Sequence, residues 1–359
     1  MNHEREPAWS ASELLFRVRS YMADDRAELE EDEAFNRLAL ALFAFQFDNV
    51  PIYRCLCESR GIRPGLVEHW SRIPPLPASA FKEHEVSSIL EAERSHVFKS
   101  SGTTGHVPSR HFHNAASLAL YEASVLASFE RHLPSAGARF LFLTPPPSLA
   151  PNSSLVHMFE TVRARFGAPD SAFAGRLEAD GTWSLDFDVL GTTISSGQPM
   201  NVLGTAFSFV HWLDDLVVKR TRLRLPAGSR LMETGGYKGR SRVVAKTELR
   251  RLMTRHLGAP ESHIISEYGM CELSSQAYAA ADGILRFPPW VRTQIISPET
   301  GAVAPEGEVG LLRIFDAANV HSVMAIQTED LAIRRGNGFE LLGRAQAAEA
   351  RGCSLLAAT

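Results

Sequence analysis

From about residue 98 onward, short β-type runs alternate with helical stretches, and that alternation restricts the chain to a layered α/β fold. Arg139-Phe140-Leu141-Phe142-Leu143 reads as a strand, stopped by Pro145-Pro146-Pro147, and Val202 to Val210 holds another. Lys246 to Leu257 predicts a helix, with Leu249, Leu252, Met253 and Leu257 on one face and Gly258 where a C-terminal cap belongs. Glu308 to Phe315 reads as a late strand. The texture before residue 98 is different. From Ser10 to about Leu90 the apolar residues recur at helical spacing, as in Leu14, Leu15 and Val18, then Phe35, Leu38, Leu42 and Phe45. Pro64, Pro74, Pro75 and Pro77 then punctuate a loop-rich connection. The expected organisation is an N-terminal helical segment over residues 1–95, an α/β core over 96–344 and a tail over 345–359.

With 359 residues, 45% of them hydrophobic, the chain can bury a large core. A net charge of -4, with both signs mixed along the sequence, argues against nucleic acid as a partner, because its binders concentrate Lys and Arg on one face. The first residues carry both signs and lead into no apolar run of signal-peptide type, and no stretch approaches the length of a membrane span. Cys55, Cys57, Cys271 and Cys353 show neither disulfide-scaffold nor zinc-site spacing, so a reducing cytoplasm is expected.

The strongest local signal is Lys99-Ser100-Ser101-Gly102-Thr103-Thr104-Gly105. Two glycines let the backbone curl so that amide hydrogens converge, and four hydroxyls add donors, which makes a cradle for polyphosphate oxygens. No Gly-Lys-Ser/Thr follows, so it is not a Walker loop. By composition alone a polar turn would look the same, and three further segments supply the context. Glu233-Thr234-Gly235-Gly236-Tyr237-Lys238-Gly239-Arg240 joins a Gly pair, suited to close approach by a flat base, to two cations. Ser266-Glu267-Tyr268-Gly269-Met270-Cys271-Glu272 offers an aromatic ring for stacking and a carboxylate, Glu272, for a hard cation such as magnesium. Gln327-Thr328-Glu329-Asp330 supplies a carboxylate able to accept both hydroxyls of a ribose.

Ser101-Gly102-Thr103-Thr104-Gly105, Tyr268-Gly269 with Glu272, Thr328-Glu329-Asp330 and Gly343-Arg344 together resemble the successive nucleotide motifs of the adenylate-forming enzymes. Within that superfamily the chain looks most like the acyl-protein synthetases of bacterial bioluminescence. Pro108-Ser109-Arg110, Asn152-Ser153-Ser154-Leu155, Leu203-Gly204-Thr205-Ala206-Phe207, Glu233 to Arg240 and Arg351-Gly352-Cys353-Ser354-Leu355 carry this, and Pro51-Ile52-Tyr53-Arg54 extends it to the helical segment. The resemblance implies the large N-terminal domain of those enzymes, without the full swivelling C-terminal domain that carries a catalytic lysine. It also departs from the usual pattern at Ser109-Arg110, where a lysine is expected soon after the phosphate loop.

It further implies ATP and Mg2+ as cofactors and a fatty or aromatic acid as substrate, activated as an acyl-adenylate. Ser100, Ser101, Thr103 and Thr104 would hold the phosphates, with Gly102 and Gly105 shaping the loop. Glu272 would orient magnesium, and Asp330 and Arg344 would grip the ribose. Tyr268, followed by Gly269, would lie against the adenine, opposite Gly235 and Gly236. Lys238, beside the Gly pair, is expected to neutralise charge in place of the absent lysine, supported by Arg240. The resemblance makes Cys353 the acyl carrier, its thiolate favoured slightly by Arg351, with an acyl-protein reductase as partner. His157 is a candidate for the acyl pocket or a hydrogen-bonded core histidine. Transfer to coenzyme A or a carrier protein, and a non-catalytic nucleotide-binding module, are the competing readings.

Overall fold

A computed structural model describes residues 9–24, 32–100, 107–133, 137–221, 223–235 and 244–345. Helices α1 (Ala11–Ala23), α2 (Asp32–Asn49) and α3 (Pro51–Ser59) open the chain, followed by strand β1 (Leu76–Pro77) and the short helix α4 (Ala80–Glu83). Then come β2 (His96–Lys99), β3 (Arg110–His113), α5 (Ala115–Glu130), β4 (Phe140–Phe142), α6 (Ser154–Phe166), β5 (Ala172–Phe173), β6 (Gly175–Leu177), β7 (Trp183–Leu185) and α7 (Phe187–Ile194). The central part continues through β8 (Asn201–Thr205), α8 (Ala206–Val218), β9 (Arg230–Thr234), α9 (Lys246–Leu257), β10 (Ile264–Tyr268) and β11 (Ala277–Ala279). Strands β12 (Val291–Ile296), β13 (Val309–Asp316), β14 (Ala325–Arg335) and β15 (Gly338–Arg344) follow.

The chain divides into two compact units. One joins Met1–Ser95, Ser109–Ser117 and Arg286–Thr359. Its sheet runs β1-β14-β13-β12, with β15 on the other side of β14. The N-terminal segment enters that sheet directly, because Leu76 pairs in parallel with Ile326. The helical spacing buries Leu14, Val18, Phe35 and Leu42 completely. Trp70 stands edge-on to both Phe35 and Phe315. Gln46 is buried with its amide satisfied, donating to the Asn319 carbonyl at 2.7 Å and accepting from the Met324 N–H at 2.9 Å. A buried amide holds its place only when both ends are paired, so it fixes α2 against the turn between β13 and β14.

The second unit comprises His96–Pro108 and Leu118–Leu285, around a sheet ordered β11-β10-β9-β8-β4-β5. Its strands are parallel except for β11, which runs antiparallel to β10. Alternation along each strand feeds two cores, since successive side chains point to opposite faces. Leu141, Val202, Leu231 and Ile264 face the core built with α7, α8 and α9. Phe140, Phe142, Leu203, Met232 and Ile265 face the core built with α5 and α6. From β4 the chain moves outward to β5, then returns to the opposite side of β4 with β8, β9 and β10. Such reversals place the carboxyl ends of the strands around a crevice, the usual ligand site of open α/β sheets.

Helix α9 spans the stretch whose periodicity predicts it, and Gly258 takes the left-handed conformation at its end, with φ 75°. Within the stretch 202–210, where a strand is expected, the strand β8 extends only to Thr205 and α8 begins at Ala206. The Thr205 hydroxyl accepts the Ser208 N–H at 3.0 Å, a side-chain cap that converts a continuous apolar run into strand followed by helix.

Candidate active site

In the second unit, the carboxyl ends of β9 and β10 gather several of the residues singled out from the sequence. Thr234 is paired with Glu267 across the two strands, so both side chains leave the same face of the sheet. The Thr234 hydroxyl donates to Glu267 Oε2. Burial pushes the Glu267 carboxyl up to about 7, against the pull of that hydrogen bond. On the opposite face Glu233 is also raised by burial, with Lys246 drawing it back down. Arg250 of α9 ties that face together, donating to the Ser266 hydroxyl at 3.3 Å and the Ile264 carbonyl at 2.7 Å.

Each strand end then turns sharply. Gly235 follows β9 with φ 66°, a conformation that glycine adopts without strain. Gly269 follows β10, and a Cβ there would lie 2.7 Å from Glu267 Oε1, so glycine leaves room for the carboxyl group. Tyr268 is buried, and its hydroxyl donates to Met270 Sδ at 3.5 Å. The Leu273 N–H closes the next turn on the Met270 carbonyl at 3.1 Å, and the buried carboxylate Glu272 lies on that turn. Gly235, Tyr268, Gly269 and Glu272 therefore share one edge of one sheet. Ser100 is half-buried, directly after β2 of the same unit.

In the first unit Asp330 and Arg344 are brought together. They are register partners on β14 and β15, with Arg344 Nε 3.7 Å from Asp330 Oδ1. The Asp330 carboxylate is mostly buried and the Arg344 side chain is largely exposed. Thr328, inside β14, donates to the Leu312 carbonyl at 2.7 Å and accepts the Asp330 N–H at 3.1 Å. Arg110 lies 3.9 Å from Glu85. Ser101, Gly102, Thr103, Thr104, Gly105, Gly236, Lys238, Arg240 and Cys353 lie outside the described residues.

A family model described as acyl-protein synthetase, LuxE, matches residues 9–358 of the chain. The chain belongs to that family. As an acyl-protein synthetase family member it is an enzyme, a ligase. It is 22% identical over 343 residues to the long-chain-fatty-acid–luciferin-component ligase of Vibrio harveyi, covering 91% of this chain and 88% of the relative. The protein of the same description from Aliivibrio fischeri is 21% identical over 346 residues, with the same coverage. Among solved structures, an open conformation of 2-hydroxyisobutyryl-CoA ligase in complex with 2-HIB-AMP and CoA superposes with a TM-score of 0.65 at 13% identity. That likeness covers 89% of this synthetase and 77% of the other chain, and it shows the fold of the adenylate-forming enzymes.

Two features of this synthetase were not singled out by sequence reasoning. Glu267 was one letter of a motif valued for Tyr268 and Glu272, yet burial pushes its carboxyl up to about 7 at the strand end. The available signal was an acidic residue inside an otherwise apolar strand, which burial makes costly unless it is paired or protonated. His157 was noted singly, but it is paired with Glu122, Nε2 to Oε1 at 2.9 Å. Among the described residues no group of three or more His, Cys, Asp or Glu side chains could hold a metal ion, and no helix is long and apolar enough to cross a membrane.

Proposed function

We propose that this enzyme uses ATP to convert a long-chain fatty acid to its acyl-adenylate, then passes the acyl group to its own Cys353 and onward to a partner reductase. The observation that carries the proposal is the match of the acyl-protein synthetase family over residues 9–358. The carboxyl edge holding Gly235, Tyr268, Gly269 and Glu272 supports it, as does the Asp330 and Arg344 pair.

In adenylation a carboxylate oxygen attacks the α-phosphorus of ATP and pyrophosphate leaves, so the protein's task is positioning and charge neutralisation. Ser100, Ser101, Thr103 and Thr104, with the backbone around Gly102 and Gly105, hold the phosphates. Tyr268 and Gly269 take one side of the adenine, and Gly235 and Gly236 the other. Asp330 accepts from the ribose hydroxyls, with Arg344 beside it. Lys238 and Arg240 neutralise the charge that builds on the phosphates. Magnesium fits the donor set, because it is commonly held by one or two carboxylates completed by substrate phosphates and water, and Glu272 is such a carboxylate. When bound, the ion draws charge from the phosphate oxygens. In the second step the Cys353 thiolate attacks the acyl carbonyl, the carbon–oxygen bond to AMP breaks, and a thioester remains.

One experiment tests the sequence of steps: pyrophosphate exchange and intact-mass measurement with ATP, magnesium and hexadecanoate. Wild type should exchange and gain one acyl mass, Cys353→Ala should exchange without the gain, and Lys238→Ala should lose most of the exchange. An acyl adduct that persists in Cys353→Ala removes the acceptor assignment, and normal exchange in Lys238→Ala removes the role of that lysine.

A further inference from the structure

We infer that His157 and Glu122 form a positioning pair that sets where Lys99 and Ser100 stand, and through them the affinity for the nucleotide; this rests on the proposed use of ATP.

The residues concerned all belong to the second unit. Strand β2 ends at Lys99, immediately before the hydroxyl-rich segment. Its last inward-facing residue, Phe98, is fully buried, with its ring centroid 5.3 Å from that of His157 and 4.9 Å from that of Tyr121. The next residue is tied by backbone: the Lys99 N–H donates to the Asn152 carbonyl at 2.8 Å. Asn152 directly precedes Ser153, the residue that caps α6. Whatever fixes the first turn of α6 therefore fixes the end of β2.

Two adjacent residues of α5 do so. The Tyr121 hydroxyl donates to the Ser154 carbonyl at 3.0 Å, and Glu122 Oε1 meets His157 Nε2 at 2.9 Å. The His96 ring lies 5.3 Å from that of His157, and burial, with His157 next, holds it below the usual histidine range.

The pair does not look built for stability. The His157 and Glu122 side chains are 21% and 39% exposed, so water can satisfy both, and exposed pairs of this kind contribute little to folding. What it does fix is the orientation of an imidazole ring wedged against Phe98. Glu122 Oε1 accepts a hydrogen bond from the His157 Nε2–H, which determines the ring's tilt and hence the seat of the strand end.

The test is titration calorimetry with ATP and magnesium, together with the ATP and hexadecanoate KM values in pyrophosphate exchange. Glu122→Ala and His157→Ala should each weaken ATP binding roughly tenfold, the size expected for a lost charge-assisted hydrogen bond. In Glu122→Ala the hexadecanoate KM and the rate at saturating ATP should stay within about twofold, since the effect is confined to seating the phosphates. Glu122→Gln, whose amide oxygen still accepts from Nε2, should recover most of the affinity. Unchanged ATP affinity in a folded Glu122→Ala protein overturns the inference, as does an equal rise in the hexadecanoate KM or no recovery in Glu122→Gln. If wild type binds no ATP, this inference and the proposed function fall together. If wild type binds ATP but never exchanges pyrophosphate, only the proposed function falls, and the binding constants of the variants still decide the pair.

Discussion

Gly269 shows how closely one residue can be specified by its neighbour. Its missing Cβ is the space beside Glu267 Oε1, and that carboxyl is held from the other side by the Thr234 hydroxyl. Gly269→Ala should therefore cost about 1–3 kcal/mol of stability through overpacking, read as a lower urea midpoint. Glu267→Ala in the same chain should relieve the clash, so the double variant should be more stable than the two single losses added together. Additive losses would show that the contact does not limit the site. Tyr268, Gly269 and Glu272 fall within five residues of sequence, so their grouping at one strand end and the turn after it was legible locally. Glu267 was harder to see, since its importance comes from the Thr234 hydroxyl of a neighbouring strand, 33 residues away. The Asp330 and Arg344 pairing depends likewise on the register of β14 against β15, which spacing alone does not supply.

At the scale of elements, legibility followed the strength of local chemistry. Helix α9 combines an apolar stripe with a glycine stop, and both signals act within a few residues of each other. The run 202–210 has a glycine, Gly204, just before its break, but that residue belongs to β8, and the apolar residues around it read the same in strand and helix. Only the Thr205 hydroxyl marks the boundary, and threonine inside an apolar run reads equally well as a strand residue. That makes the cap testable. Thr205→Ala removes the acceptor of the Ser208 N–H and should destabilise the protein by about 1 kcal/mol in urea titration, whereas Thr205→Ser keeps the hydroxyl and should stay close to wild type. Equal losses in both variants would assign the effect to the methyl group and its packing. The N-terminal segment gave its helices by periodicity, but its entry into a sheet through Leu76 and Ile326 depends on residues 250 positions apart. No local pattern announces such a pairing.

At the scale of the whole molecule, two buried ionisable groups pull stability in opposite directions with pH. His321, in the first unit, has its Nδ1 2.8 Å from the Ser88 hydroxyl, and burial holds it down to about 4 from an ordinary 6.5. Below 6.5 the unfolded chain takes up a proton that folded His321 refuses, so stability is full above 6.5 and falls as the pH drops toward 4. Glu267, in the second unit, has the reverse sign. Its folded value of about 7 exceeds the ordinary 4.5, so the unfolded chain releases its proton first and stability falls as the pH rises from 4.5 to 7. Each gap corresponds to about 3 kcal/mol across its window. For a single cooperative transition the two slopes oppose each other between pH 5 and 6.5. Glu267→Gln removes one side, so stability should rise more steeply with pH than in wild type over that range. His321→Gln removes the other, so the profile should tilt the opposite way from wild type. If the two units unfold separately, wild type itself should show two transitions moving in opposite directions, the first unit's upward with pH and the second's downward. Parallel, flat pH profiles for wild type and both variants would show that neither group is buried as a neutral species.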